Sequence, residues 1–338
     1  MSESVQEVKG GTRWMRVRSA WQAWVEILST RETGTAMAWT RIGVGLVTLH
    51  TMTSIYTSGV IVPLWANKDE GGIINLSDKN WLVQLLGGPS LETSEQLLLM
   101  CTVACALLVI GLGSRIAALV ALQTSIALFS LHPGSGGGHD RLITNMLWLL
   151  VLVRSDVTLS LWCYVRSRRW TSSELIYAWV RYALAFQVTV MYWATGVQKM
   201  GMEWMPWGGY DAIYFAVLHP AFARFDHSWI AEVMPLVRVA TAVTWIWEVT
   251  FPIVLLWLWF RRTPDRDGRL RRWVRRWNLR LIYVVIGLGM HSTVWALMDV
   301  GPFSPITCTL YLSLFHPDEY ARLYQRLRGR IPRGTAES

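Results

Sequence analysis

The chain has 338 residues, of which 52% are hydrophobic and only 16% are charged. A soluble protein of this size carries roughly 25% charged residues, so the composition argues against a soluble domain and favours a helical membrane protein. The net charge of +9 lies in loops between apolar runs, where cytoplasmic loops retain arginine and lysine, so we expect no nucleic-acid partner. The four cysteines form no CxxC motif, and we expect neither a zinc site nor a disulfide framework.

The first 34 residues are basic and rich in tryptophan. The stretch from Lys9 to Arg31 has no apolar core followed by a small-residue cleavage site, so we expect no cleavable signal peptide. This pattern predicts an amphipathic helix that lies on the cytoplasmic face of a membrane.

Eight apolar runs follow, and a helix needs roughly 20 apolar residues to cross a bilayer. The predicted spans are about 36–57, 95–113, 115–131, 141–163, 175–199, 229–260, 280–298 and 301–316. The last run is short and would make at most a partial span. The expected fold is therefore all-α, with a bundle of about eight transmembrane helices over residues 35–318 and a basic cytoplasmic tail over 319–338.

The loop charges alternate along the chain, which sets the expected orientation. The segments that hold most loop arginines are 1–35, the turn at Arg115, 164–174, 261–280 and the tail from 317. The intervening segments are 58–94, 132–140, 200–228 and the turn near Asp299, where the clear basic loop residues are Lys68, Lys79 and Arg224. Because basic loops stay in the cytoplasm, both termini are predicted to be cytoplasmic.

Lys199 stands where the fifth apolar run reaches the outer membrane–water boundary. Two interpretations are open. The side chain would extend to the outer headgroups, as lysines at helix ends often do. Alternatively, a low-dielectric pocket would favour the neutral amine, which is a strong general base.

Four further charges lie within predicted spans: Arg41, Arg181, Arg238 and Glu248. Charges at membrane depth usually face the bundle interior and pair with one another. We therefore predict a structural ion pair between two spans, for example Arg41 with Glu248. The alternative is that Arg41 and Glu248 shape a polar cavity.

His139 and Asp140 follow a glycine-rich run at the start of the fourth span. They would transfer protons or position a substrate at a cavity mouth, or Asp140 would only cap the helix. His291 lies inside the seventh span, where a histidine bonded to a backbone carbonyl is the usual case. Trp204 would line a cavity for a flat apolar ring, although tryptophan is also enriched at membrane interfaces. No catalytic or nucleotide-binding motif of the familiar kinds is found in the sequence.

The chain resembles the horizontally transferred transmembrane (HTTM) family, which includes the membrane domain of vitamin K-dependent gamma-glutamyl carboxylase. The most specific match is Gly196-Val-Gln-Lys199-Met-Gly-Met-Glu-Trp204, similar to the carboxylase segment Gly-Val-Lys-Lys-Leu-Asp-Ala-Asp-Trp. Suggestive matches are Thr40-Arg-Ile-Gly-Val-Gly45, Gly138-His139-Asp140 and His291-Ser292. The resemblance covers roughly residues 35–318.

The resemblance implies roles for these residues. The position of Lys199 matches the carboxylase base that deprotonates reduced vitamin K, which leads to epoxidation of the vitamin and carboxylation of a peptide glutamate. His139 and His291 match histidines of the carboxylase site. The implied ligand is reduced vitamin K or menaquinone, and no metal is implied.

Some features depart from the carboxylase. Gln198 replaces its first lysine, and the large lumenal domain that binds the carboxylase substrate has no counterpart in this sequence, so peptide carboxylation is not expected to follow directly. The segment Ala212-Ile-Tyr-Phe215 and the segment Leu314-Phe-His-Pro317 are similar instead to bacterial sporulation-delaying protein B. That resemblance implies a maturation or immunity factor for a secreted hydrophobic peptide.

The leading expectation is an integral protein of a bacterial plasma membrane with an outward-facing site for a hydrophobic quinol. Lys199 would be the base, with His139 and His291 beside it. The alternative is a non-enzymatic factor that binds a hydrophobic peptide in the same cavity. A transporter is disfavoured because the sequence has no inverted repeat and no matched pair of broken helices.

Overall fold

The computed structural model describes residues 13–132, 134, 136–263 and 267–330. In these residues the α-helices are α1 (Arg13–Ser29), α2 (Thr35–Thr57), α3 (Ile61–Trp65), α4 (Trp81–Leu85), α5 (Leu91–Ile110), α6 (Ser114–Leu131), α7 (Gly138–Leu152), α8 (Leu161–Ser167), α9 (Trp179–Gln198), α10 (Ala212–Leu218), α11 (Met234–Thr250), α12 (Ile253–Arg262), α13 (Arg269–Arg276), α14 (Leu279–Leu297), α15 (Phe303–Tyr311) and α16 (Pro317–Arg330). Short 3-10 turns are Lys68–Glu70, Met202–Trp204, Pro206–Gly208, Ser228–Val233 and Leu312–Leu314. Two strands, β1 (Arg31–Thr33) and β2 (Leu175–Tyr177), pair antiparallel.

The described part of the chain is mostly helical, as expected. Four of its helices are long and apolar enough to cross a membrane: Leu91–Ile110, Ser114–Leu131, Ser228–Thr250 and Leu279–Leu297. The full set of eight spans and the side on which the termini lie stay predictions. The predicted N-terminal helix is present as α1, while residues 1–12 of that segment and residues 331–338 of the predicted tail lie outside the described residues.

Two predicted spans are interrupted, each for a local reason. The predicted span 141–163 is wrong because α7 ends at Leu152, and a polar loop then runs to Ser160, which caps α8. In that loop, the carboxylate of Asp156 accepts a hydrogen bond from the Ser114 N–H at the start of α6. The predicted span 229–260 is divided into α11 and α12 at Pro252, which has no backbone N–H to continue the helical ladder.

The small β1–β2 sheet was not predicted, because residues 175–177 were assigned to the fifth span. Register pairs Glu32 with Ile176. Arg181, one turn into α9, donates to both carboxylate oxygens of Glu32 at 2.6 and 2.8 Å, and both side chains are buried. Arg181 also donates to the Ser313 carbonyl at 3.3 Å. This ion pair joins the segment after α1 to the first turns of α9.

The long helices pack as two groups that share one core. Helices α2, α5, α6 and α7 pack in succession, and α9 packs against α11 and α12, with α12 against α14. Helix α15 joins the two groups because it contacts α2, α7, α9 and α14. One apolar cluster runs through both, from Val44 and Leu122 to Val188 and Phe251. The second group and the loops at one of its ends form the candidate site.

Candidate functional site

Lys199 lies directly after the last residue of α9. Its backbone is no longer helical, with φ −75° and ψ 72°. Its ammonium forms an ion pair with the carboxylate of Glu248 on α11. It also lies 4.3 Å from the ring centroid of Trp204, in the turn that follows α9. Lys199 is therefore held by a carboxylate and an aromatic face.

The Lys199–Glu248 pair is mostly shielded from the surface. The side chains are 22% and 7% exposed, respectively. An ion pair in such surroundings is only weakly screened, so both partners are held in place more firmly than a surface pair would be. The carboxylate partner adds to the two sequence interpretations of Lys199, and the choice between them stays a prediction.

Gly196 allows the two helices to approach at this point. A Cβ placed on Gly196 would lie 2.8 Å from the Val249 backbone nitrogen and 2.9 Å from the Glu248 Cβ. Both distances are shorter than the van der Waals separation of these atoms, so a side chain at position 196 would clash with α11. The glycine three residues before Lys199 therefore gives the close α9–α11 packing that brings Glu248 to the lysine.

A cavity of about 810 Å³ lies beside the pair, between α9, α11 and α14. Its wall includes Tyr192, Lys199, Trp204, Glu248, His291 and Phe303. Most of the remaining lining is aliphatic, and α10 and the turn Ser228–Val233 contribute part of it. Volumes of roughly 300–1,000 Å³ are typical of sites for small ligands, in which a few polar groups orient the ligand among apolar ones.

A second polar feature of the cavity wall is a chain of hydrogen-bonded side chains. The Tyr192 hydroxyl lies 2.6 Å from His291 Nε2 and also bonds to the Tyr311 hydroxyl. His291 Nδ1 lies 3.4 Å from the Ser304 hydroxyl. His291 is thus bonded to side chains rather than to a backbone carbonyl, which was the usual case expected from its sequence position. Gly287 makes room for the Tyr311 hydroxyl, which a Cβ there would meet at 2.2 Å.

His139 and Asp140 lie at the start of α7. His139 Nε2 is 3.2 Å from Asp140 Oδ1, and Asp140 Oδ2 accepts the Gly137 N–H at 2.7 Å. The N-cap residue of α7 is therefore Gly137, and Asp140 is the third residue of the helix, so the interpretation that Asp140 is itself the N-cap is wrong. Gly138 lines the cavity. His139 and Asp140 are not among the described residues that form the cavity wall. Pro133 and Ser135 of the preceding run lie outside the described residues.

The predicted pair between Arg41 and Glu248 is wrong. Glu248 is bonded to Lys199, and Arg41 donates to the Leu159 carbonyl at 2.6 Å and interacts electrostatically with Asp156. The physical reason is the interrupted fourth span, whose loop brings a carbonyl and a carboxylate to the buried guanidinium. Arg41 does not line the cavity, whereas Glu248 does.

Two residues of the hydrogen-bonded chain around His291 were missed in the sequence, and of these Tyr192 lines the cavity. Tyr192 stands on α9 seven residues before Lys199, which directly follows the helix, and this helical spacing was an available signal. Tyr311 carried no signal, because its contact with Tyr192 depends on how α15 packs against α9. In the described part of the chain, no group of three or more His, Cys, Asp or Glu side chains is placed to hold a metal ion.

No family model, no curated protein and no solved structure matches this chain.

Proposed function

We propose that this chain is an integral membrane protein of about eight spans with cytoplasmic termini, whose cavity binds a hydrophobic ring compound that carries a hydroxyl group. The membrane location is supported by four apolar helices of spanning length and by the alternation of arginine-rich loops. The proposed ligand class is supported by an apolar cavity with few polar groups.

The observation that carries the proposal is the Lys199–Glu248 pair in the cavity wall. An ammonium with a carboxylate and an amine with a carboxylic acid differ only in where one proton resides. In the first form the Glu248 carboxylate can take one more proton, and in the second form the Lys199 amine can take it. Both routes give an ammonium beside a carboxylic acid. After taking a proton from a ligand hydroxyl, the pair carries a net positive charge beside the oxygen that gave it up, which favours the transfer.

A reduced quinone such as menaquinol fits these residues. Such a ligand supplies a ring hydroxyl and an apolar tail. Lys199 and Glu248 would hold and accept the hydroxyl proton, and the Trp204 ring beside Lys199 offers an apolar face to a planar ring. The Tyr192 and His291 side chains would orient a second ring oxygen by hydrogen bonding.

The resemblance to the vitamin K-dependent carboxylase and the HTTM family supports the same assignment, because the matching lysine is the base there. His139 stays a candidate for positioning at the cavity mouth, since its neighbour Gly138 reaches the lining. We propose deprotonation of the ring hydroxyl as the step that this chain performs.

Mass spectrometry of molecules that copurify with the protein tests the proposal. The matched variants are Val294→Trp, which fills part of the cavity, and Leu119→Trp, which adds the same ring on the exposed face of α6. We expect an isoprenoid quinone with the unmodified chain and with Leu119→Trp, and its loss with a folded Val294→Trp.

Other outcomes decide against this function. If the unmodified chain copurifies with a hydrophobic peptide and Val294→Trp does not, the quinone assignment is wrong. The function is then the maturation or immunity factor implied by the similarity to sporulation-delaying protein B. Quinone retained equally by both tryptophan variants would place the ligand outside this cavity and overturn the assignment.

A further inference from the structure

A second groove lies at the end of the bundle where α9 begins and α12 ends. Its volume is about 470 Å³. It is lined by Trp21 and Trp24 of α1, Trp179 and Phe186 of α9, and Leu255 and Trp259 of α12. We call this feature the tryptophan groove. It is separate from the cavity at Lys199, with which it shares no lining residue.

Helix α1 is fixed against the bundle at this groove, so the groove is a built feature. The rings of Trp24 and Trp259 stack with centroids 4.9 Å apart. Ile27 is buried against Ala178 and Tyr182. The segment after α1 is then held through the buried Glu32–Arg181 pair described above. The groove nevertheless remains open to one side, because Trp21 and Phe186 are well exposed.

The edges of the groove are cationic. Arg18 lies one turn before Trp21 on the same face of α1, and Arg262 ends α12 one turn after the groove residue Trp259. The guanidinium of Arg261 instead lies 5.4 Å from the ring centroid of Trp257, which is not part of the groove lining. All three arginine side chains are exposed. Two acidic residues lie near the α1 part of the groove in sequence. Glu26 is exposed, whereas the carboxylate of Glu32 is engaged by Arg181. The apolar surface thus ends in arginines on two separate helices.

We propose that the tryptophan groove binds one anionic glycerophospholipid, with an acyl chain against the aromatic rings and the phosphate at Arg18 and Arg262. Aromatic rings pack well at the boundary between acyl chains and headgroups, and arginine binds phosphate with directed hydrogen bonds. Each basic side chain near a membrane surface contributes about 1 kcal/mol to attraction of anionic lipid, or about fivefold. The inference rests on the membrane location in the proposed function, but not on proton transfer by Lys199.

Quenching of tryptophan fluorescence by brominated lipids tests this inference on the whole chain in lipid nanodiscs. Bromine on the acyl chain quenches tryptophans that it contacts. The probes are brominated phosphatidylglycerol and brominated phosphatidylcholine with the same chains, each titrated over the same range of mole fractions in unbrominated phosphatidylcholine. We expect phosphatidylglycerol to reach half-maximal quenching at a mole fraction about 25-fold lower, which is about fivefold for each of the two arginines.

Two sets of variants separate the headgroup from the chain. Arg18→Gln/Arg262→Gln is expected to abolish the preference for phosphatidylglycerol, and Ala183→Trp, which adds a ring inside the groove, is expected to reduce quenching by bound lipid. Arg166→Gln/Arg169→Gln is the matched control, because both arginines are exposed and belong to the α8 region. This control is expected to keep the preference.

Equal quenching by the two lipids in the unmodified chain would overturn the inference. So would a preference that survives in the folded Arg18→Gln/Arg262→Gln variant, or one that the control variant loses equally. Lys199→Met is expected to keep the lipid preference while it loses the ligand of the cavity. Failure of the lipid assignment and failure of the proposed function therefore give different results.

Discussion

Gly196 and Glu248 lie in direct contact across the α9–α11 interface, and this contact places a carboxylate against Lys199. The Cβ that any other residue would add at position 196 meets Glu248 Cβ at 2.9 Å and the Val249 backbone nitrogen at 2.8 Å. The ion pair therefore depends on a glycine that is not itself polar. The chemistry proposed for the cavity rests on this backbone approach as much as on the two charges.

The first prediction concerns this approach. Gly196→Ala is expected to destabilise the protein by about 1–3 kcal/mol, because the backbone of α11 must move to accept the methyl group. Thermal unfolding in detergent measures the change. Gly289→Ala on α14 is the matched control, since a Cβ there meets nothing within 4 Å. The control is expected to be neutral or slightly stabilising, because alanine favours helix over glycine. Equal effects of the two substitutions would contradict the account of Gly196.

The structure brings three of the residues that the sequence singled out to one cavity, while their functional roles stay predictions. Lys199, Glu248 and His291 were identified as residues of interest because charged and titratable groups are conspicuous in apolar runs, and all three line one cavity. The partner of Lys199 could not be read from the sequence, because ion pairing between spans depends on which faces of α9 and α11 meet. Tyr311 was missed for the same reason.

Helix ends were predicted less well where local hydrogen bonding decides them. The polar loop after α7 was hidden in an apolar run, yet its Asp156 caps α6 and its Leu159 carbonyl accepts from Arg41. Neither partner is near the loop in sequence. Strand β2 was hidden similarly, because its pairing with β1 connects residues that are more than 140 positions apart.

The second prediction tests the coupling of Lys199 and Glu248 in a double-mutant cycle. Lys199→Met and Glu248→Gln each remove one charge and leave the other without its partner. Each is expected to destabilise the fold, and the double variant by less than their sum, with a coupling energy of about 1–3 kcal/mol. Unfolding in denaturant gives the three values.

A matched cycle on Arg238→Gln and Asp211→Asn serves as the control, because that pair is substantially exposed. Its coupling is expected to be about 0–1 kcal/mol. If the Lys199–Glu248 cycle gave no more coupling than this surface pair, the two charges would not interact as the structure shows.

The third prediction concerns the ion pair at the start of α9. Glu32→Gln leaves the guanidinium of Arg181 buried without its carboxylate, and is expected to cost about 3–5 kcal/mol. Glu174→Gln removes one partner of the exposed Arg154–Glu174 pair and is expected to cost about 0–1 kcal/mol. Thermal unfolding of both variants compares them. Similar shifts in Tm would show that burial of Arg181 does not raise the cost.

The fourth prediction is a pH dependence at α16. Partial burial raises the pKa of Glu319, but hydrogen bonds from Arg280 and from the His316 N–H oppose this, and the net pKa lies below the ordinary value of 4.5. A lowered pKa in the folded state stabilises the fold above pH 4.5, and this contribution is lost as the pH falls through the folded value. The difference in unfolding free energy between the unmodified chain and Glu319→Gln should therefore be largest near neutral pH and shrink below pH 4.5. A difference that is constant over this range would contradict the role given to the carboxylate.

The most direct test of the central claim is the affinity of the cavity for a reduced quinone compared with its oxidised form. The reduced form carries the hydroxyl that the Lys199–Glu248 pair would bind, whereas the oxidised form has only carbonyl oxygens. We expect the unmodified chain to bind menaquinol more tightly than menaquinone by about tenfold or more, since a hydrogen bond to a charged group contributes about 1.5–3 kcal/mol. A folded Lys199→Met variant should lose this preference, and equal preference in both proteins would contradict the account.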